Sequence, residues 1–142
     1  MDHFDLRPGP DGPTLWCEDV PLETIADAVG TPVYVYSTAT LRRHYRVFRD
    51  AFAPYRASLG EPLVAYAVKA NGNVSVLATL AREGAGADTV SEGEVRRALA
   101  AGVPPQRIIF SGAGKTRREL EFAVAGGVGQ INVESEPELD QL

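Results

Sequence analysis

Four short apolar runs begin at Val64, Ala87, Ile108 and Ile131, with successive offsets of 23, 21 and 23 residues. Each interval has room for one strand and one helix. The segments between the runs carry helical stripes. Val76, Leu77, Leu80 and Ala81 precede Gly84. Val95, Ala98 and Leu99 precede Gly102, and Leu120, Ala123 and Val124 precede Gly126. Apolar residues three and four apart line one helix face, and glycine suits the turn that ends a helix. The helix starts repeat as well. Ser91 with Glu94, Thr116 with Glu119, and Ser135 with Glu138 each have the S/T-x-x-E form of a capping box. In that motif the hydroxyl accepts a hydrogen bond from the helix start, and the Glu accepts one from the N–H of the cap residue. Strand, cap and helix in fixed order define an α/β fold with a parallel sheet. An open doubly wound sheet and a closed eightfold barrel both fit four such units. A closed barrel takes about 250 residues. This rhythm occupies about 80 and stops at Leu142, soon after the fourth cap, so the sequence is expected to be truncated.

Ahead of the rhythm the pattern is less regular. Residues 1–20 are rich in Pro and Gly, with Phe4, Leu6, Leu15 and Trp16 interspersed, and read as irregular or short-strand structure. Pro21 to Val29 has a helical stripe ending at Gly30. Val33-Tyr34-Val35-Tyr36-Ser37 is β-branched and aromatic, and predicts a strand. Thr38 to Ala53 predicts a helix with Leu41, Tyr45, Phe48 and Phe52 on one face and Pro54 as its stop.

Composition narrows the chemistry. The net charge of −5, with arginine pairs set into helical patterns, speaks against a nucleic-acid partner. The start of the chain has neither a basic nor an apolar leader region, and no apolar run reaches the roughly 18 residues of a membrane span. One cysteine, Cys17, allows no internal disulfide and suits a reducing compartment. Cys17 with two histidines makes no metal-ligand cluster. Lysine is rare: Lys69 and Lys115 stand against twelve arginines.

Lys69 follows the apolar strand Ala65-Tyr66-Ala67-Val68 and precedes the turn residues Asn71-Gly72. Ligands of β/α folds meet the C-terminal ends of strands. Apolar flanks withdraw an amine from water and favour its uncharged, nucleophilic form, as Schiff-base chemistry requires. A lysine that simply leaves the sheet for solvent is the plainer alternative. Asp88, on the next strand, sits where a carboxylate could face Lys69, or could point to solvent. Glu94 is accounted for by its capping box alone. Ser111-Gly112-Ala113-Gly114-Lys115-Thr116 imitates a P-loop, but the first glycine of that motif would fall at Ile109, inside the strand. Lys115 is therefore expected to be a surface residue beside a helix start. Asn132 and Glu134 alternate with Ile131 and Val133. They either face a ligand at the strand end or merely precede the next cap.

The order of these segments carries a family resemblance. Gly30-Thr31-Pro32-Val33-Tyr34-Val35-Tyr36, Ala65 to Asn71, Gly86 to Glu94, Ile108 to Gly112 with Lys115-Thr116, and Ile131 to Ser135 resemble successive segments of the diaminopimelate decarboxylases. These are pyridoxal-phosphate-dependent enzymes with alanine-racemase-like barrels. The resemblance spans essentially the whole chain. It implies a partial (β/α)8 TIM-type barrel over residues 38–142, preceded by a segment, residues 1–37, of a β-rich domain. It implies pyridoxal 5'-phosphate as cofactor, bound covalently by Lys69 with Asp88 and Glu94 nearby. It further implies decarboxylation of meso-2,6-diaminopimelate to L-lysine by a cytoplasmic homodimer with shared active sites. Ornithine, arginine or carboxynorspermidine decarboxylases of the same barrel, and a non-catalytic homologue, are the alternatives. The family's remaining cofactor and substrate residues fall beyond Leu142, so the 142 residues alone are not expected to work as an enzyme.

Overall fold

The computed structural model describes residues 2–9 and 12–142; Met1 and Pro10-Asp11, within the stretch read as irregular or short strands, lie outside the described residues. The chain divides into two compact units, residues 1–44 and 45–142.

In the first unit, β1 (Phe4–Gly9) and β2 (Gly12–Cys17) form an antiparallel hairpin, extended by β3 (Val20–Pro21). The tight β2–β3 connection holds Glu18 at φ 55°, a left-handed conformation that few side chains adopt. The Glu18 carboxylate has a compensating role. It accepts hydrogen bonds from Ser37 Oγ and from the Ala39 backbone N–H, both at 2.8 Å, at the start of α2 (Thr38–Asp50). The Ala39 N–H, then the Ser37 hydroxyl, hold this carboxyl below its usual range. Before α2 comes α1 (Leu22–Val29), as the stripe predicts. Val33–Ser37 is not a strand: none of these residues joins a ladder among the described residues, and Tyr34 is 87% exposed. β-branched and aromatic residues favour strands by packing on a pleated neighbour, and in this unit no neighbour pairs with them.

The second unit carries the repeat. After α2 ends, a 3-10 turn at Ala53–Tyr55 and a single turn of helix, α3 (Arg56–Leu59), lead into the sheet. The following elements are β4 (Ala65–Ala67), α4 (Val74–Arg82), β5 (Gly86–Thr89), α5 (Glu92–Ala100), β6 (Ile108–Phe110), α6 (Arg117–Ala125), β7 (Gln130–Ile131) and α7 (Glu136–Leu139). The four strands are parallel and lie side by side in chain order. That order is how a β/α barrel begins. One face of the sheet packs under the helices. Ala87, Ile108 and Phe110 join Leu77 of α4, Val95 and Ala98 of α5, and Ala123 of α6 in one core, with Ile108 and Phe110 fully buried. Two glycines fit close approaches at the start of strands. A Cβ on Gly86 would meet the Arg107 carbonyl oxygen at 2.4 Å, and one on Gly129 would meet that of Gln106 at 2.2 Å. Both flank the 3-10 turn Pro105–Arg107 that feeds β6.

The helix caps hold, with two changes. Ser91, Thr116 and Ser135 each accept from the backbone N–H three residues on. Only Thr116 and Glu119 complete the reciprocal box. Glu94 accepts instead from the Val90 N–H at 2.8 Å, one residue before the cap. Glu138 turns away to Lys115. α4 is capped by Asn73, whose side chain accepts from the Ser75 N–H at 2.9 Å.

Candidate active site at the C-terminal ends of the strands

Alternation along the strands sorts the residues around the site. Ala87, Thr89, Ile108 and Phe110 are buried on the helix side. Asp88 therefore points to the opposite face, together with Ile109 and Gln130, its successive cross-strand neighbours. In a barrel that face is the interior. Ladder bonding extends past the regular strands, from Ser111 N–H to Thr89 C=O at 2.7 Å and from Asn132 N–H to Phe110 C=O at 2.9 Å. Ser111 and Asn132 thus share the inner face of Asp88, one step nearer the C-terminal rim.

Lys69 lies at that same rim. It sits in a 3-10 turn, Val68–Ala70, directly after β4, two residues beyond Ala67, which pairs with Asp88. The turn sends Val68 into the core, where it is 1% exposed, and leaves Lys69 exposed. The apolar enclosure expected from Ala67, Val68 and Ala70 is therefore not formed by these neighbours. Among the described residues Lys69 has no hydrogen-bond or ion-pair partner, and none joins it to Asp88 or Glu94. Asp88 Oδ1 accepts from Ser111 Oγ at 2.8 Å. The Glu94 carboxylate is engaged on Val90, at the end of β5.

Lys115 corrects the expectation of a surface residue. Its side chain is 1% exposed. Nζ donates to the carbonyl oxygens of Gly112 at 2.6 Å and Asn132 at 2.8 Å. It also lies 2.7 Å from Glu138 Oε1, an ion-pair contact outside hydrogen-bond geometry, with Glu138 almost as buried. The β6–α6 loop is too short to wrap a phosphate, so it folds back and the ammonium satisfies carbonyls at two strand ends. Gly112 N–H donates to Glu134 Oε1 at 3.3 Å, which ties the same loop to the segment after β7. Sequence reading missed Ser111 as a partner of Asp88, and Glu138 as the partner of Lys115. One signal was available: Asp88, Ser111 and Asn132 are polar residues at offsets of 23 and 21, matching the strand repeat. No pattern marks the Lys115–Glu138 pair.

A pyridoxal group needs a primary amine free to meet its aldehyde. Lys69 is exposed and unpartnered, while Lys115 is buried and saturated. Ala65 and Ala67, the inner residues of β4 before it, are small. The residues present therefore fit the group at Lys69.

Comparisons with known proteins place the chain in a family. The family described as pyridoxal-dependent decarboxylase, pyridoxal binding domain, matches residues 39–142. This chain belongs to that family. Two curated relatives are diaminopimelate decarboxylases. That of Zymomonas mobilis subsp. mobilis is 50% identical over 142 residues, all of this chain and 32% of the relative. That of Vibrio cholerae serotype O1 is 49% identical over the same share of each. Among solved structures, diaminopimelate decarboxylase from M. jannaschii in complex with L-lysine superposes with a TM-score of 0.90 at 32% identity. That match covers 99% of this chain and 32% of the other. The chain thus spans about a third of the length of the relatives it matches.

Proposed function

We propose that this chain is the first third of an enzyme that decarboxylates meso-2,6-diaminopimelate to L-lysine, with Lys69 carrying pyridoxal 5'-phosphate. The observation that carries the reading is identity of about half, along all 142 residues, to proteins of that activity. An exposed, unpartnered Lys69 at the strand ends supports it. Bound there, the pyridoxal ring supplies an electron sink for loss of carbon dioxide. Lys69 Nζ would hold the cofactor and, as a free amine, would hold a proton at the reacting face. Asp88, fixed through Oδ1, has Oδ2 left to offset positive charge at the Lys69 nitrogen. Glu94 holds the Val90 end of β5 and so shapes the floor beside Asp88.

Residues 1–37 belong in this reading to a β-rich domain and residues 38–142 to the first half of the barrel. The enzyme is a cytoplasmic homodimer that shares its active sites between subunits. Cys17, buried and unpaired, suits a reducing compartment. A substrate panel tests the reading on the full-length protein supplied with pyridoxal phosphate. Carbon dioxide release from meso-diaminopimelate should exceed that from ornithine or arginine by about a hundredfold or more in kcat/KM. Preference for either of the others would contradict the assignment.

A further inference from the structure

Four side chains at the ends of three consecutive strands form one directional chain of three hydrogen bonds. Gln130 Nε2 donates to Asn132 Oδ1 at 2.6 Å, Asn132 Nδ2 donates to Ser111 Oγ at 3.0 Å, and Ser111 Oγ donates to Asp88 Oδ1 at 2.8 Å. The direction follows from charge. An ionised Asp88 can only accept, so the single proton of Ser111 must go to it. Ser111 must then accept from Asn132, which turns the Asn132 amide nitrogen toward the hydroxyl and its oxygen toward Gln130. The backbone beneath is pinned as well. Lys115 Nζ holds the carbonyl oxygens of Asn132, itself in the relay just after β7, and of Gly112, next to Ser111 just after β6.

We propose that Ser111 and Asn132 are positioning residues that act through Asp88. They fix its carboxylate in one orientation at the inner rim through Oδ1, leaving Oδ2 without a hydrogen bond among the described residues. This rests on the reading of Asp88 as the carboxylate facing the Lys69 nitrogen. A purely structural role predicts lost stability when the relay is cut. A positioning role predicts an altered charge balance at Lys69 in a protein that still folds.

The test uses the full-length protein loaded with pyridoxal phosphate and follows the pH midpoint of the cofactor's visible absorbance change. In Ser111→Ala the carboxylate is no longer held in place and offsets less positive charge on the Lys69 nitrogen. The midpoint should fall by about half a pH unit or more. Ser111→Thr keeps the hydroxyl and should restore it. Asn132→Ala, which removes the donor behind Ser111, should shift the midpoint the same way and serves where Ser111→Ala does not fold. Asp88→Asn is the reference. If Asp88→Asn moves the midpoint and neither Ser111→Ala nor Asn132→Ala does, the relay is wrong and the reading of Asp88 stands. If Asp88→Asn leaves the midpoint in place, the reading of Asp88 falls and the relay falls with it.

Discussion

Two lysines in this chain have opposite surroundings, and the contrast favours Lys69 over Lys115 in the proposed role of cofactor lysine. Lys69 is exposed and has no polar partner among the described residues. Lys115 has two carbonyl acceptors and a carboxylate within 2.8 Å. Burying a cation costs several kcal/mol unless its donors are satisfied, and removing one member of such a pair leaves the other charge stranded. Lys115→Met should therefore lower stability by about 3–5 kcal/mol, because Glu138 stays buried without its ammonium and two strand-end carbonyls lose their donor. Chemical denaturation of the full-length protein measures this; a loss below about 1 kcal/mol would mean the pair is solvated and contributes as a surface pair does. The place of Lys69 at a strand end was readable from sequence, because the β/α repeat marks where the strand stops. The place of Lys115 was not. Its burial depends on Glu138, 23 residues away, and on carbonyls of two separate strands, which no local pattern reports.

At the scale of elements, the repeat itself was legible almost completely. Strands begin within a residue or so of the four predicted positions, because each is an apolar run of the right length between a glycine stop and a side-chain cap, Asn73 after β4 and a hydroxyl after the other three. The caps show where local motifs stop being sufficient. S-x-x-E places a hydroxyl and a carboxylate at the right spacing, and the hydroxyl half forms in all three cases. The carboxylate half competes with other partners: Glu94 took the adjacent Val90 N–H, and Glu138 took Lys115, which only the fold brings near. Glu119 took the cap. The Thr116 backbone N–H and then its hydroxyl hold the Glu119 carboxyl below its ordinary value of 4.5. Its contribution to stability is therefore complete above that value and is lost as pH falls through the lower, folded-state value. Glu119→Gln should cost stability at neutral pH, and the gap to the parent protein should close on acidification from about pH 5 to about pH 3. Thermal melts across that range check it; a gap that stays constant would show that Glu119 acts by shape and not by charge. Val33–Ser37 shows the converse failure. Its composition is that of a strand, but a strand needs an edge to pair with, and composition does not supply one.

At the scale of the molecule, the second unit is a run of four β/α units with a helix-covered face and an inner face. Its inner rim gathers Lys69, Asp88, Ser111 and Asn132. No helix is long and apolar enough to cross a membrane among the described residues. The chain accounts for about a third of its relatives, and in the proposed reading the Lys69 amine, the Asp88 carboxylate and the relay behind it all come from that third. The central claim is that Lys69, and not Lys115, carries the cofactor. Borohydride reduction of the pyridoxal-phosphate-loaded full-length protein, followed by proteolysis and mass spectrometry, reads it directly. The added pyridoxyl-phosphate mass should appear on the peptide containing Lys69, while the Lys115 peptide stays unmodified. Label on Lys115, or on neither, would contradict the account.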